Sequence, residues 1–345
     1  MKERLIGAGF GLFGATGLHR LATPFVGGVG AILMFHHVRP WRGEAFAPNR
    51  LLEITPDFLE TTLDVLREQD IDIVTMDEAA ARLAERRFGR RFAVLTFDDG
   101  YRDNATYAAP ILRARGAPYT VFVTTGFADA TAPLWWLELE EAIRRLDHVE
   151  ASIAGARFVA QARDAAAKSA AFARLYPLLR AMPEDDMRAV IADLLARSGG
   201  ASDFAARLCM SWDEIAALSA DPLCAIGAHT LTHPMLAKHS DETALREIAE
   251  SKAILEARLG RPVRHLAFPV GDPSSAGARE FDLARQAGFV TAVTTRPGMI
   301  FPEHAGHLTA LPRLSVNGRW QERGFLEALL SGAPFALWNR GRRLA

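Results

Sequence analysis

Cysteine is nearly missing from this chain: only Cys209 and Cys224 occur in 345 residues. Two cysteines are too few for a disulfide scaffold, and their spacing matches no metal-ligand pattern. They read as core residues, with a single disulfide left open. Excess charge is also missing, since 40 basic residues face 41 acidic ones for a net charge of −1. That balance provides no overall field for nucleic acid or an anionic membrane, and it suits a small neutral substrate or a sugar polymer. Low complexity, internal repeats and disordered linkers are absent, and 49% hydrophobic with 23% charged residues is an ordinary globular composition. A long apolar run is absent too. The stretch from Ile6 to Leu18, preceded by Lys2 and Arg4, is too short for a membrane span. Its glycines and the return of His19 and Arg20 favour a packing helix over an export signal, with Ala15 and Gly17 the residues that would form a cleavage site. The expected location is the cytoplasm or the cytoplasmic face of the membrane, with export as the alternative. Membrane association has little in the sequence to support it.

What the chain does contain is an alternation of short apolar runs with helical segments. "GAILMF" (30 to 35) reads as a strand, and Thr55 with Pro56 reads as an N-cap followed by a first-turn proline. "IDIVTM" is the next strand, Asp77 is the expected cap of the following helix, and "RFAVLTF" is a strand again. "YAAPILRARG" and "YTVFVTT" repeat the helix-strand rhythm. Residues 128–210 break it. From Pro133 to Leu208 the pattern is helical, Ala-rich and charged, with no strand expected, and it reads as an insertion within one domain spanning 1–345. The alternation resumes with "WDEIAALSA", "LCAIGAH", a helix from Asp241 to Leu259 closed by Gly260, "HLAFPV", "REFDLARQAG", "FVTAVTT", "LPRLSV" and "GFLEALLSG". Seven or eight strands separated by helices predict a parallel sheet covered by helices, closed as a (β/α) barrel of about seven strands, with an open doubly wound sheet as the alternative.

In such a barrel, reactive groups sit where strands end. Asp98 and Asp99 of "TFDDGY" fall there, and so do His229 and His233 of "HTLTHP". Adjacent carboxylates need a cation, a shared proton or open water. One carboxylate and two imidazoles are a recurrent ligand set for a catalytic divalent metal. If Asp99 joins the histidines, which a helical turn would aim alike, Asp98 is left free to accept a proton from water. Gly100 lets the backbone turn so that both carboxylates converge. Taken singly, "DDG" reads as a solvated turn and the histidine pair as chance spacing; their joint position at two strand ends favours the functional reading.

Four further places are candidates. His36 and His37 end the first strand, where alternation lets one face the centre, His36 first, to protonate a leaving amine or steady an oxyanion. In "FPVGDP" the Val270 or Gly271 amide could donate to an oxyanion, or the segment is simply a turn. Arg313 in "LPRLSV" could orient Asp98 or lie at the surface. Trp135 and Trp136, opening the insertion, could stack on sugar rings or pack inward.

With "TFDDGY" and "HTLTH" in this order, the chain resembles the polysaccharide deacetylases of the NodB-homology group, carbohydrate esterase family 4, over about residues 30 to 316 apart from the insertion. The resemblance implies a distorted (β/α) barrel, a metal (commonly zinc) held by Asp-His-His, and removal of acetyl groups from glycans containing N-acetylglucosamine. Asp98 matches the family's base, and Asp99, His229 and His233 match its metal ligands. The chain departs from the common pattern where Ala267 of "AFPVG" replaces an arginine that steadies the base, and where "LPRLSV" lacks the usual acid histidine. These departures resemble a subgroup with a Phe-Ala-Tyr-Pro-like loop, in which His36 matches a first-strand histidine that contacts the acetyl group. The expected activity is metal-dependent deacetylation of an N-acetylated amino sugar in a polysaccharide or oligosaccharide. The alternatives are hydrolysis of another small amide or of O-acetyl esters, and a non-catalytic glycan-binding barrel.

Overall fold

The computed structural model describes residues 18–344. Twelve strands are formed among them: β1 Gly30–Phe35, β2 His37–Val38, β3 Glu53–Ile54, β4 Asp72–Ile73, β5 Phe92–Phe97, β6 Tyr119–Val123, β7 His148–Ile153, β8 Ala156–Gln161, β9 Cys224–Ala228, β10 His265–Ala267, β11 Thr291–Pro297 and β12 Leu311–Ser315. Seven of these close a parallel barrel in the order β1, β12, β11, β10, β9, β6, β5, with β5 returning to β1 through Gly30↔Phe92 to Phe35↔Phe97. That pairing rules out the open sheet. β4 attaches to the first half of β5, and β6 pairs with its second half.

Alternation along the strands sorts the apolar residues into two cores. Ile32, Val94, Phe122, Ala267, Val293 and Leu311 pack together inside the barrel. Their neighbours Leu33, Leu95, Val121, Leu266 and Leu314 point outward under the helices. Both faces are therefore buried, and β1 and β5 are buried at every position, as parallel strands require. The same parity continues past the strand ends and aims His36 and Asp98 inward.

The helices follow local signals. Thr55 caps the helix Pro56–Glu68 by accepting from the Phe58 amide, and its Phe58, Leu59, Leu63 and Leu66 are buried. The long helix Asp241–Leu259 ends at Gly260 with φ +66. Asp77 is not the cap expected for the helix Met76–Ala84. Thr75 is the last extended residue, so its hydroxyl reaches the Glu78 amide at 3.1 Å, while Asp77 lies in the first turn and pairs with Arg264. Cys209 and Cys224 are buried and free. The expected packing helix over Ile6 to Leu18 lies outside the described residues apart from Leu18, which begins the helix Leu18–Val26. Among the described residues, no helix is long and apolar enough to cross a membrane.

The segment between β6 and β9 does contain strands, contrary to expectation. β7 and β8 form an antiparallel hairpin, Ile153↔Ala156 to His148↔Gln161, around Ala154 and Gly155, both at positive φ. Val149, Ala151 and Ile153 are buried on one face while His148 and Ser152 are exposed. This hairpin packs with the helices Trp135–Arg145, Ala165–Ala181 and Glu184–Arg197 around a core of its own, which also takes in Phe46, Tyr101, Phe127 and Met235 from the barrel loops.

Candidate active site

The carboxylate pair at the end of β5 is split between two partners. Asp98 accepts two hydrogen bonds from the Arg313 guanidinium, Nη1 to Oδ1 at 2.7 Å and Nη2 to Oδ2 at 2.6 Å. Arg313 is buried inside the barrel and donates as well to the Thr294 carbonyl and, at 3.2 Å, to Thr96 Oγ1. Burial alone would raise the Asp98 carboxyl, but the charge and hydrogen bonds of Arg313 outweigh it and hold the group below its ordinary value. Asp98 is thus a buried anion at neutral pH whose orientation is fixed by a fork-shaped donor.

Asp99 turns the other way. It takes φ +69 and Gly100 takes φ +64, so the chain leaves its pleat at the aspartate itself and not only at the glycine. Its Oδ1 lies 3.4 Å from both His229 Nε2 and His233 Nε2, and the three donor atoms lie within 4.8 Å of one another. All three side chains are buried. The histidines are not on a helical turn as their spacing suggested. They lie on an irregular loop in which Thr230 and His233 have positive φ. Glu247 shapes that loop by accepting from the Leu231 and Thr232 amides, each at 2.9 Å, and from the Thr232 hydroxyl at 2.8 Å.

These side chains fit a divalent cation. Asp99 Oδ1 is buried with no hydrogen-bond donor aligned on it among the described residues, an arrangement that is costly for an anion left alone. The His229 Nδ1 proton goes to the Ala267 carbonyl at 2.7 Å, which leaves its Nε2 lone pair facing Asp99. Burial raises the Asp99 carboxyl, but the His229 and His233 rings more than offset this and keep it well below its ordinary value. Burial drives His233 down to about 3, so its ring is neutral. His229 is also pulled down by burial, yet its contact with Asp99 and the charges of Asp98 and Asp99 raise it on balance, so a proton and a cation compete for it.

His36 faces the same centre, its Nε2 3.9 Å from Asp98 Oδ2. Burial lowers its pKa against the pull of Asp98 and Asp99, so the ring is neutral near pH 7. His37 points away, with its Nδ1 2.6 Å from Asp103 and its ring stacked on Tyr101. Asp103, Asn104 and Glu247 were not legible as site residues. Asp103 accepts from the Val38 amide, Asn104 donates to the His36 carbonyl, and together they fix the end of β1. Their only sequence signal is a polar cluster just after "FDDGY".

In "FPVG" both Val270 and Gly271 have positive φ. The Gly271 amide is spent on the Pro269 carbonyl at 2.6 Å, so of the two only Val270 keeps an amide available as an oxyanion donor. Trp135 and Trp136 are buried and do not form an exposed rim. Trp136 packs 4.8 Å from the His233 ring and so walls the site, while Trp135 stacks on Tyr176, in line with the inward packing that was the alternative to sugar stacking.

Residues 85–292 match the family model described as polysaccharide deacetylase. Among solved structures, the chain is similar to the Streptococcus pyogenes deacetylase PplD in complex with acetate, at 18% identity and TM-score 0.57, covering 87% of this chain and 97% of that one. It is similar to IcaB from Ammonifex degensii at 20% identity and TM-score 0.54, over 87% and 97%. It also resembles the polysaccharide deacetylase BC0361 from Bacillus cereus at 15% identity and TM-score 0.55, over 87% of this chain and 68% of that one. At these identities the structural likeness speaks for the fold alone. No protein of curated function matches. The family match covers more than half of the sequence and includes the paired aspartates and both loop histidines, and the chain therefore belongs to the polysaccharide deacetylase family.

Proposed function

We propose that the protein is a metal-dependent deacetylase acting on N-acetylated amino sugars of a polysaccharide or oligosaccharide. The observation that carries this reading is the division of labour at "DD": Asp98 is held as an anion by Arg313, and Asp99 faces two imidazoles. Asp99, His229 and His233 would hold the cation, with zinc first among candidates for an oxygen and nitrogen donor set with open positions. Such a cation supplies Lewis acidity, acidifying water and polarising the acetyl carbonyl.

The protein's own groups do the rest. Asp98 accepts the proton of the attacking water, and Arg313 keeps it ionised and aimed. That proton must then reach the leaving nitrogen, and neutral His36, 3.9 Å from Asp98, is placed to carry it. The Val270 amide donates to the oxygen on which charge develops. The buried walls formed by Trp136 and Phe127 keep the site poor in water, which strengthens each of these interactions.

The test is acetate release from N-acetylglucosamine oligomers by protein loaded with zinc, beside protein stripped by a chelator. Release only by the loaded form supports the reading. Equal release by both contradicts metal dependence, and activity confined to small acylamides or O-acetyl esters favours those alternatives.

A further inference from the structure

We propose that the groove between the loops following β1 and β12 and the insertion helix Ala165–Ala181 binds the neutral sugar units that flank the one being deacetylated. This rests on the glycan reading above and extends it to the polymer. The groove has a volume of about 1060 Å³, at the upper end of ordinary ligand pockets and roomy for more than one sugar ring.

Its position follows from topology. β1 and β12 are neighbours in the barrel; His36 follows the end of β1, and Arg313, midway along β12, reaches Asp98 with its guanidinium. The chain leaving β1 supplies Trp41 and the short helix Pro48–Leu52, and the chain leaving β12 supplies Trp320. The two loops form one floor. Gly318 lies against the Glu53 and Arg50 carbonyls so closely that no Cβ would fit, and Gln321 accepts from the Thr55 amide at 2.7 Å. The third wall is the insertion helix, through Ser169, Phe172 and Tyr176. Its far end is tied back to the loop after β10 by Arg180, which donates to Asp272 at 2.8 Å. Tyr176 stacks on Trp135, next to the Trp136 that packs on His233. The groove walls are thus connected to the catalytic residues through the chain leaving β1 and β12 and through the ring series Tyr176, Trp135, Trp136 and His233.

Its chemistry selects the occupant. Trp41, Phe172 and Trp320 offer flat apolar rings of the kind the C–H faces of pyranoses pack against, with Phe172 backed by Tyr176 and Trp320 by Phe325. Trp41 is already oriented, because the Arg50 guanidinium sits 4.0 Å over its ring, while the side chain stays 37% exposed. Around the rings, Glu44 and Glu322 balance Arg50 and Arg319, and Asn49 and Ser169 add uncharged polar groups. A neutral, hydroxyl-rich chain matches this lining, whereas an anionic polymer would meet no excess of cations.

The experiment is calorimetric titration of the zinc-loaded Asp98→Asn protein, which leaves the ligand intact, with the dimer and the hexamer of N-acetylglucosamine. Acetate release from both is measured in parallel on protein with Asp98 restored. The hexamer should bind roughly tenfold tighter than the dimer. Trp41→Ala and, on a separate element, Phe172→Ala should each remove most of that preference, and Trp41→Phe should retain it. Equal binding of dimer and hexamer, or a preference that survives both alanine variants, overturns the proposal. A chain-length preference that is lost in the variants without acetate release from either oligomer supports the groove and contradicts the deacetylase reading. Equally efficient acetate release from dimer and hexamer overturns the groove and leaves that reading intact.

Discussion

Arg313 on β12 and Asp98 at the end of β5 belong to strands that flank β1 on opposite sides, and they meet across the barrel interior as a two-pronged ion pair of 2.7 and 2.6 Å. A buried aspartate next to a second carboxylate would otherwise take up a proton and lose its use as a base. The resemblance implied an arginine where Ala267 stands, and Arg313 places a cation beside Asp98 from a different strand.

Removing that cation is expected to harm both function and fold. Arg313→Ala leaves Asp98 buried without its partner, a change of about 3–5 kcal/mol for a pair of this kind. Thermal melting and steady-state kinetics should both show the loss. Arg313→Lys restores charge without the fork, so it should recover stability better than turnover. Wild-type kinetics in Arg313→Ala would contradict the orienting role.

Asp98→Asn keeps shape and removes the proposed base. Turnover should fall by roughly 10²–10⁴-fold while bound metal, measured by elemental analysis, stays the same. A parallel loss of metal would mean that Asp98, too, is a ligand.

Glu247 supports the histidine loop from outside it. Glu247→Ala removes the acceptor of the Leu231 and Thr232 amides and of the Thr232 hydroxyl, so the loop should shift, whereas Glu247→Gln can keep its carbonyl on the two amides by turning its NH2 to the hydroxyl. Metal affinity in the alanine variant is expected to drop about 10–100-fold, the usual effect of losing an outer support of a metal ligand. Competition with a chromogenic chelator measures it, and unchanged affinity would assign Glu247 to stability alone.

The tie between the insertion and the barrel should be sensitive to acid. Burial raises the Asp272 carboxyl, but Ser274 and Arg180 outweigh it and set it below its ordinary value of 3.8. A lowered folded value means that the stabilisation is complete above the unfolded value and is lost as pH falls through the folded one. The pair is partly exposed, so the effect is modest, about 0.5 kcal/mol. Between neutral pH and about pH 3, wild type should lose more melting temperature than Asp272→Asn. Equal losses would show that the pair contributes nothing.

The sequence revealed the barrel because parallel strands buried on both faces must be uniformly apolar, and "GAILMF" and "FAVLTF" are so. Strand-end placement likewise singled out Asp98, Asp99, His229 and His233. Less visible were features set by tertiary contacts. Arg313 was a candidate to orient Asp98 only through its place near a strand, with the surface as the alternative, since nothing local shows that Asp98 waits inside the barrel. The convergence of His229 and His233 comes from a loop moulded by Glu247, sixteen residues beyond Leu231 in the chain, and not from helical spacing. The β7–β8 hairpin left a signal in its alternating Val149, Ala151 and Ile153 and its Ala154–Gly155 turn, but this was masked by the Ala-rich helices around it. Of the two readings left open for Trp135 and Trp136, the inward one holds because the segment between β6 and β9 has a core of its own to fill.

The most direct test of the proposed metal centre is the metal content of the purified protein, measured by elemental analysis beside a His229→Ala, His233→Ala double variant. About one equivalent of zinc or a similar divalent ion is expected in the wild type and none in the variant. A wild-type protein that takes up no metal even after reconstitution, or a variant that retains it, would contradict the metal-holding role of Asp99 and the two histidines.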